Sequence, residues 1–134
     1  MKTLTVILLL LAGSANSFEL QEVVGFAAND NSKEFVEGYV AGVRDTWLSV
    51  AVTGIKNTDP NYDPNPASIA WETCKLRGAW NVNSIIATMN AQMHEATTLR
   101  TEHAPLWYAS FYIPMVCPEM LEALVEALDK EKQT

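Results

Sequence analysis

An all-α fold is predicted by three features of the 134-residue chain. Apolar residues recur at three- and four-residue spacings, no segment alternates apolar and polar residues over a strand's length, and prolines and Asx residues fall between the periodic runs. The expected architecture is a small bundle of five to six short helices closed by one disulfide, after a signal peptide. The length suits one domain, with too little chain for a second independent core.

The N-terminus is read first because it changes the rest. Met1 and Lys2 give a positive start, Leu4 to Leu11 an apolar run broken only by Thr5, and Ala12 to Ser17 a small and polar segment. Ala15 and Ser17 occupy the −3 and −1 positions of an Ala-x-Ser cleavage site before Phe18, the layout of a secretory leader. The apolar run is too short to span a bilayer comfortably, so no stable membrane anchor is expected. Residues 1–17 are therefore assigned as signal peptide and 18–134 as a single helical domain, exported to the periplasm or secreted. The whole chain has nine basic and sixteen acidic residues; without Lys2 the balance is eight against sixteen, a formal charge of −8. A balance this acidic argues against nucleic acid, which needs clustered Lys and Arg to neutralise phosphates.

Phe18 to Ala28, with Leu20, Val23, Val24 and Phe26, predicts a short first helix, broken by Asn29, Asp30 and Asn31. Asn31 is the expected cap of the second, with Glu34 as its capping-box partner. There Phe35, Tyr39 and Val43 form an i, i+4, i+8 stripe widened by Val36, Val40 and Trp47 and prolonged to Val50, with Gly54 as the expected stop. Gly38 and Gly42 weaken this helix by about 1 kcal/mol each relative to Ala. A small face that lets another helix approach, within the monomer or across a homodimer, would make that tolerable.

Residues 55–66 predict a loop containing Pro60, Pro64 and Pro66. Asp59, Asn61, Asp63 and Asn65 alternate as oxygen ligands, but the glycine and distal Glu of a calcium loop are missing, so no metal is assigned. Pro66 then opens a helix behind Asn65 and carries Ile69, Ala70, Trp71 and Cys74 to Gly78. Asn81 or Asn83 caps the next, whose stripe is Val82, Ile85, Ile86, Met89 and Met93. Pro105 suits the first turn of an aromatic-rich helix with Trp107, Tyr108, Phe111 and Tyr112, which Pro114 should kink or end. That aromatic group covers a wide arc, read first as core and second as a partner or dimer surface. Pro118 starts the last helix, with Leu121, Leu124, Val125 and Leu128.

Export decides the cysteines. An even count in an oxidising compartment favours a Cys74–Cys117 disulfide, whereas a catalytic cysteine would want a nearby His or a Cys-x-x-Cys partner, and neither is present. His94-Glu95 lacks the second His of a zinc-binding helix, and no Gly-x-Ser-x-Gly elbow or phosphate-binding glycine loop occurs. No catalytic residue and no cofactor are assigned.

Phe35, Glu37, Gly38, Tyr39, Ala41, Gly42 and Asp45 set out a Phe-x-x-Gly-Tyr-x-x-Gly-x-x-Asp helix after a leader, followed by a loop, Cys74, further helices and Cys117 beside Pro118. This arrangement, over about residues 35–118, resembles the Rap/Tai family of periplasmic immunity proteins, which are similar in fold to helical acid-stress chaperones of the HdeA type. The chain departs from the family in lacking a Cys near the start of the Gly-Tyr helix and in reading Cys74-Lys-Leu-Arg-Gly. The resemblance implies an immunity protein that binds a peptidoglycan amidase delivered by a type VI secretion system and blocks its cleft sterically. An acidic binder would be steered toward a basic cleft. Asp59 to Asn65 is the candidate plug, with Asp59, Asn61, Tyr62 and Asp63 as contacts and Tyr62 as anchor; the alternative is an inert connector. Three other functions stand beside this one: an acid-activated chaperone, a phage-encoded periplasmic inhibitor using the same fold, and a small secreted enzyme.

Overall fold

The computed structural model describes residues 17–124, so the expected leader, apart from Ser17, and the charged tail lie outside the described residues. Six helices follow one another: α1 Leu20–Ala27, α2 Lys33–Thr58, α3 Asn65–Lys75, α4 Val82–Glu95, α5 as the continuous run Ala104–Trp107, Tyr108–Tyr112 and Ile113–Val116, and α6 over 118–124. Short 3₁₀ turns at Gly78–Trp80 and Thr97–Thr101 flank α4. The all-α bundle is thus observed, and the Cys74–Cys117 disulfide closes it with Cα atoms 5.8 Å apart. The one strand-like feature among the described residues is a single antiparallel bridge between Glu19 and His103.

Helix starts follow local side-chain chemistry. A capping box in which Glu19 N–H donates to the Glu22 carboxylate at 3.2 Å opens α1. The Asn81 side chain accepts from Asn83 N–H at 2.7 Å to open α4, as expected. At α2 the expected cap is corrected. Ser32, not Asn31, occupies the cap position, and its hydroxyl donates back to the Phe26 carbonyl at 2.8 Å, fastening the α1–α2 turn instead of the helix end. At α3 the Asp63 carboxylate accepts from Asn65 N–H at 3.0 Å, so the helix begins one residue before Pro66.

The second helix is longer than expected. It passes through Gly54 and ends at Thr58, leaving a connector of only six residues, 59–64. Gly54 is buried, no glycine among the described residues has positive φ, and the next residue, Ile55, is fully buried. Burial of Ile55, worth about 1.5–3 kcal/mol, outweighs the roughly 1 kcal/mol that Gly54 costs within a helix. Pro114 does not end α5 either. It sits two residues after a π-turn at Tyr108–Tyr112, whose wider hydrogen-bond spacing accommodates a residue without an N–H.

The core runs through all six helices. From α2 it takes Val36, Val40, Trp47, Ala51 and Ile55; from α4 Ile85, Met89 and Met93; from α5 Trp107, Tyr108, Tyr112 and Ile113; from α6 Met120 and Leu124. At its centre Trp47, Trp71, Trp80 and Tyr108 form a closed ring of neighbours. Successive centroids lie 6.4, 4.7, 6.4 and 6.5 Å apart. Most of the aromatic group on α5 is therefore core, and only Phe111 turns outward, 45% exposed.

Candidate docking surface

The expected plug does not present its expected anchor. Tyr62 is 5% exposed and belongs to the core, with burial as the main cause raising its phenol pKa and the Asp63 carboxylate adding to it. The connector is instead folded on itself: Asp59 accepts from Asn61 N–H at 3.1 Å, and Asp63 from Asn65 N–H at 3.0 Å. Of the four expected contacts it offers Asn61 and Asp63 outward, beside the exposed Pro60, with Asp59 partly covered. Two of its four proposed contacts are thus turn-forming acids whose side chains are already engaged.

The motif helix behaves in the opposite way. Phe35, Gly38, Gly42 and Asp45, at i, i+3, i+7 and i+10, share one face of α2, and all four are exposed. Phe35 was expected in the inward stripe, but it is 65% exposed, and the inward row begins at Val36. A Cβ built at Gly38 or Gly42 would meet nothing within 4 Å, so no helix among the described residues packs on that small face. Thr46, Ser49 and Thr53 extend the exposed face beyond Gly42. A shallow groove of about 300 Å³ lined by Ser49, Val50, Thr53, Gly54 and Asn57 continues along it.

At the N-terminal end of this face lies an aromatic corner. The Phe18 ring meets Phe26, Phe35 and Tyr39 edge to face, at 5.7, 6.1 and 4.8 Å between centroids. The Tyr39 hydroxyl accepts from Phe18 N–H at 3.1 Å. Burial raises the Tyr39 phenol pKa; the Phe18 hydrogen bond lowers it, and the Glu22 carboxylate raises it. Residues 18–39 hold Glu19, Glu22, Asp30, Glu34 and Glu37 against Lys33 alone, a net of −4, half the charge of residues 18–134. The sequence pattern contained Phe18 and Phe26 but gave no sign that they would join Phe35 and Tyr39, since the joining contacts cross the α1–α2 turn.

Beyond Asp45 the surface changes sign. An open groove of about 540 Å³ is lined by Arg44, Asp45, Lys75, Leu76, Arg77 and Trp80, among others. Its cations are already engaged. Arg44 pairs with Asp45 at 2.9 Å and donates to the Trp80 carbonyl at 3.1 Å, Lys75 lies 3.2 Å from Glu72, and Arg77 grips Glu119 at 2.8 and 3.1 Å. Leu76, 88% exposed, is its apolar feature. Cys74, Cys117 and Glu119 are close together, but the sulfurs are bonded to each other and the carboxylate is held by Arg77, so they are not a ligand set.

His94 and His103 are exposed and far from forming a pair in sequence. His103 Nδ1 contacts the Ser17 hydroxyl at 3.0 Å, the one serine–histidine contact among the described residues. No buried residue among those described is charged. No known protein family, curated protein or solved structure matches the chain.

Proposed function

We propose that this chain is an exported binding protein that inhibits a peptidoglycan-amidase toxin by covering its cleft, and that it docks through the outward face of α2. The observation that carries the reading is the exposed row Phe35, Gly38, Gly42 and Asp45 along one helix face, open at its two glycines, with an aromatic corner at its end. A helix that places glycines where none of the described residues approaches gives up helix propensity at those positions. A partner that packs closely against the backbone would offset that loss. The surrounding charge of −4 over residues 18–39 suits a partner with a basic rim, whose Lys or Arg side chains can lie over the exposed Phe35 and Phe26 rings.

The test is binding and inhibition of purified peptidoglycan amidases by the protein, beginning with any cell-wall hydrolase found encoded next to its gene. Phe35→Ala is expected to weaken inhibition at least tenfold, in the range of a binding hot spot, while changing the midpoint of unfolding little. Gly42→Trp should abolish inhibition by blocking close approach and leave the fold intact. Asn61→Ala with Asp63→Ala should leave inhibition unchanged; loss there and not at Phe35 would return the connector to the role of plug. Tyr62→Ala is a poor probe, because it opens a cavity in the core. If the purified protein neither binds nor inhibits any cell-wall amidase, the reading fails.

A further inference from the structure

We propose that the fold carries a receptor for its own processed amino terminus: hydrolysis of the Ser17–Phe18 bond leaves a Phe18 α-ammonium that donates to the Tyr39 hydroxyl beside the Glu22 carboxylate. The proposal rests on leader removal, which the functional reading shares, but goes beyond it in assigning the group the cut creates a binding site. In the cut, water adds across the amide. The C–N bond breaks as the water's hydroxyl joins the Ser17 carbonyl carbon and its proton goes to the Phe18 nitrogen; the new carboxylic acid then ionises, leaving a carboxylate on the leader, and the amine takes up that second proton to become –NH₃⁺.

Two independent features mark the same bond. The Ala15-x-Ser17 pattern places the cut before Phe18. In the fold, contacts change character at that bond. Ser17 touches an exposed histidine, with its hydroxyl and carbonyl 3.0 and 3.3 Å from His103 Nδ1. From Phe18 onward the chain is pinned on every side: Phe18 C=O accepts from Ala104 N–H at 2.7 Å, Leu20 N–H donates to Glu102 C=O at 2.9 Å, and Leu20 is fully buried. The Phe18 ring, wedged among Phe26, Phe35 and Tyr39, fixes where its nitrogen sits, 3.1 Å from the Tyr39 oxygen.

An ammonium suits this position better than the amide it replaces. A charge-assisted donor bonds the phenol oxygen more strongly. The charged groups of the surrounding elements are mostly carboxylates: Glu19 and Glu22 on α1, Glu102 with His103 on the segment before α5, and Lys33 paired with Glu37 on α2. They favour the protonated amine, so its folded pKa lies above the unfolded value of about 7.7–8.0. The stabilisation is then fully present below the unfolded value and is lost as pH rises through the folded one.

The experiment compares a chain beginning at Phe18, released from a cleavable fusion, with one beginning at Ser17. The Phe18 amine, followed by ¹⁵N NMR or by the pH dependence of acylation, should titrate above about 8, and Tyr39→Phe and Glu22→Gln should each bring it down. The Phe18 chain should melt higher than the Ser17 chain at neutral pH, with the difference vanishing in alkali. An amine that titrates identically in wild type, Tyr39→Phe and Glu22→Gln overturns the proposal, as does a melting difference independent of pH. N-terminal sequencing of the exported protein should read Phe18 first. A start elsewhere within the exported chain would overturn the proposal while leaving the functional reading standing, whereas retention of residues 1–17 would overturn both, since neither the Phe18 amine nor the exported domain would then be made.

Discussion

Two aromatic clusters sit on the same long helix and do opposite things. Trp47, on the inward side of α2, joins Trp71, Trp80 and Tyr108 in a ring whose members are 1–6% exposed. Phe35, on the outward side, joins Phe18, Phe26 and Tyr39 in a corner that faces solvent among carboxylates. The buried ring is poor in hydrogen bonds, since Trp47 Nε1, Trp80 Nε1 and the Tyr108 hydroxyl have no partner. The exposed corner spends its one hydroxyl on a backbone nitrogen. Aromatic content alone therefore says little about role; area removed from water and the disposition of polar atoms separate a cluster that holds the fold from one that is left to meet something else.

The largest effects should fall on the buried ring. Replacing both cysteines by Ala removes a 43-residue cross-link and should destabilise by about 4 kcal/mol. Trp47→Ala should cost about 3–5 kcal/mol, the range for deleting a large buried aromatic. Phe35→Ala on the same helix should fall within about 0.5 kcal/mol of wild type, as an exposed substitution. Denaturant titrations of the three variants check this ordering. A Phe35→Ala penalty equal to that of Trp47→Ala would erase the distinction between the clusters.

A finer division runs through the tyrosines. The Tyr112 hydroxyl donates to the Ala79 carbonyl, tying α5 to the turn before α4, and burial pushes its pKa up to about 12, so it remains a neutral donor across physiological pH. The Tyr62 hydroxyl is buried with no partner. Tyr112→Phe should therefore cost about 1–2 kcal/mol, leaving the Ala79 carbonyl without its donor, while Tyr62→Phe should be neutral or stabilise by up to about 1 kcal/mol. Equal losses at both positions would mean that Tyr62 has a partner in solution.

Much of this fold is legible in the sequence because its signals are local. Asn81 caps α4, Pro105 lies in the first turn of α5, and the stripe from Val82 to Met93 packs inward as its spacing requires. The failures come where two patterns compete within one helix. Phe35 and Val36 each begin an apolar row, about 100° apart, and spacing alone does not decide which row meets the core. The row through Val36, Val40, Trp47 and Ala51 wins because it reaches the tryptophan ring. Tyr62 is hard to place for a related reason: in a segment of Pro, Asp and Asn no periodicity assigns it a side, and its inward turn depends on packing from elsewhere. The open glycine face was legible as a face, but its emptiness follows only from where the other helices lie.

The smallest expected effect is also the one that tests the rival reading of the molecule as an acid-stress chaperone. Arg77 joins α3 to the start of α6, donating to the Val116 carbonyl at 2.7 Å and to both oxygens of Glu119. The guanidinium holds the Glu119 carboxyl below its usual range, chiefly through the side-chain hydrogen bond. Its folded pKa is thus depressed. The stabilisation is present above the unfolded value of about 4.3 and fades as pH falls through the lower, folded value. Both side chains are largely in water, so the pair is a weak clamp at physiological salt. Glu119→Gln should lower the melting temperature slightly at pH 7 and match wild type near pH 2. Because the disulfide fixes Cys117 two residues away, acid should loosen this edge without opening the tryptophan ring. Tryptophan fluorescence that stays native to pH 2, with no gain in binding of a hydrophobic dye, is the expected result. Exposure of the ring at that pH would favour an acid-activated chaperone over an inhibitor that works through a fixed surface.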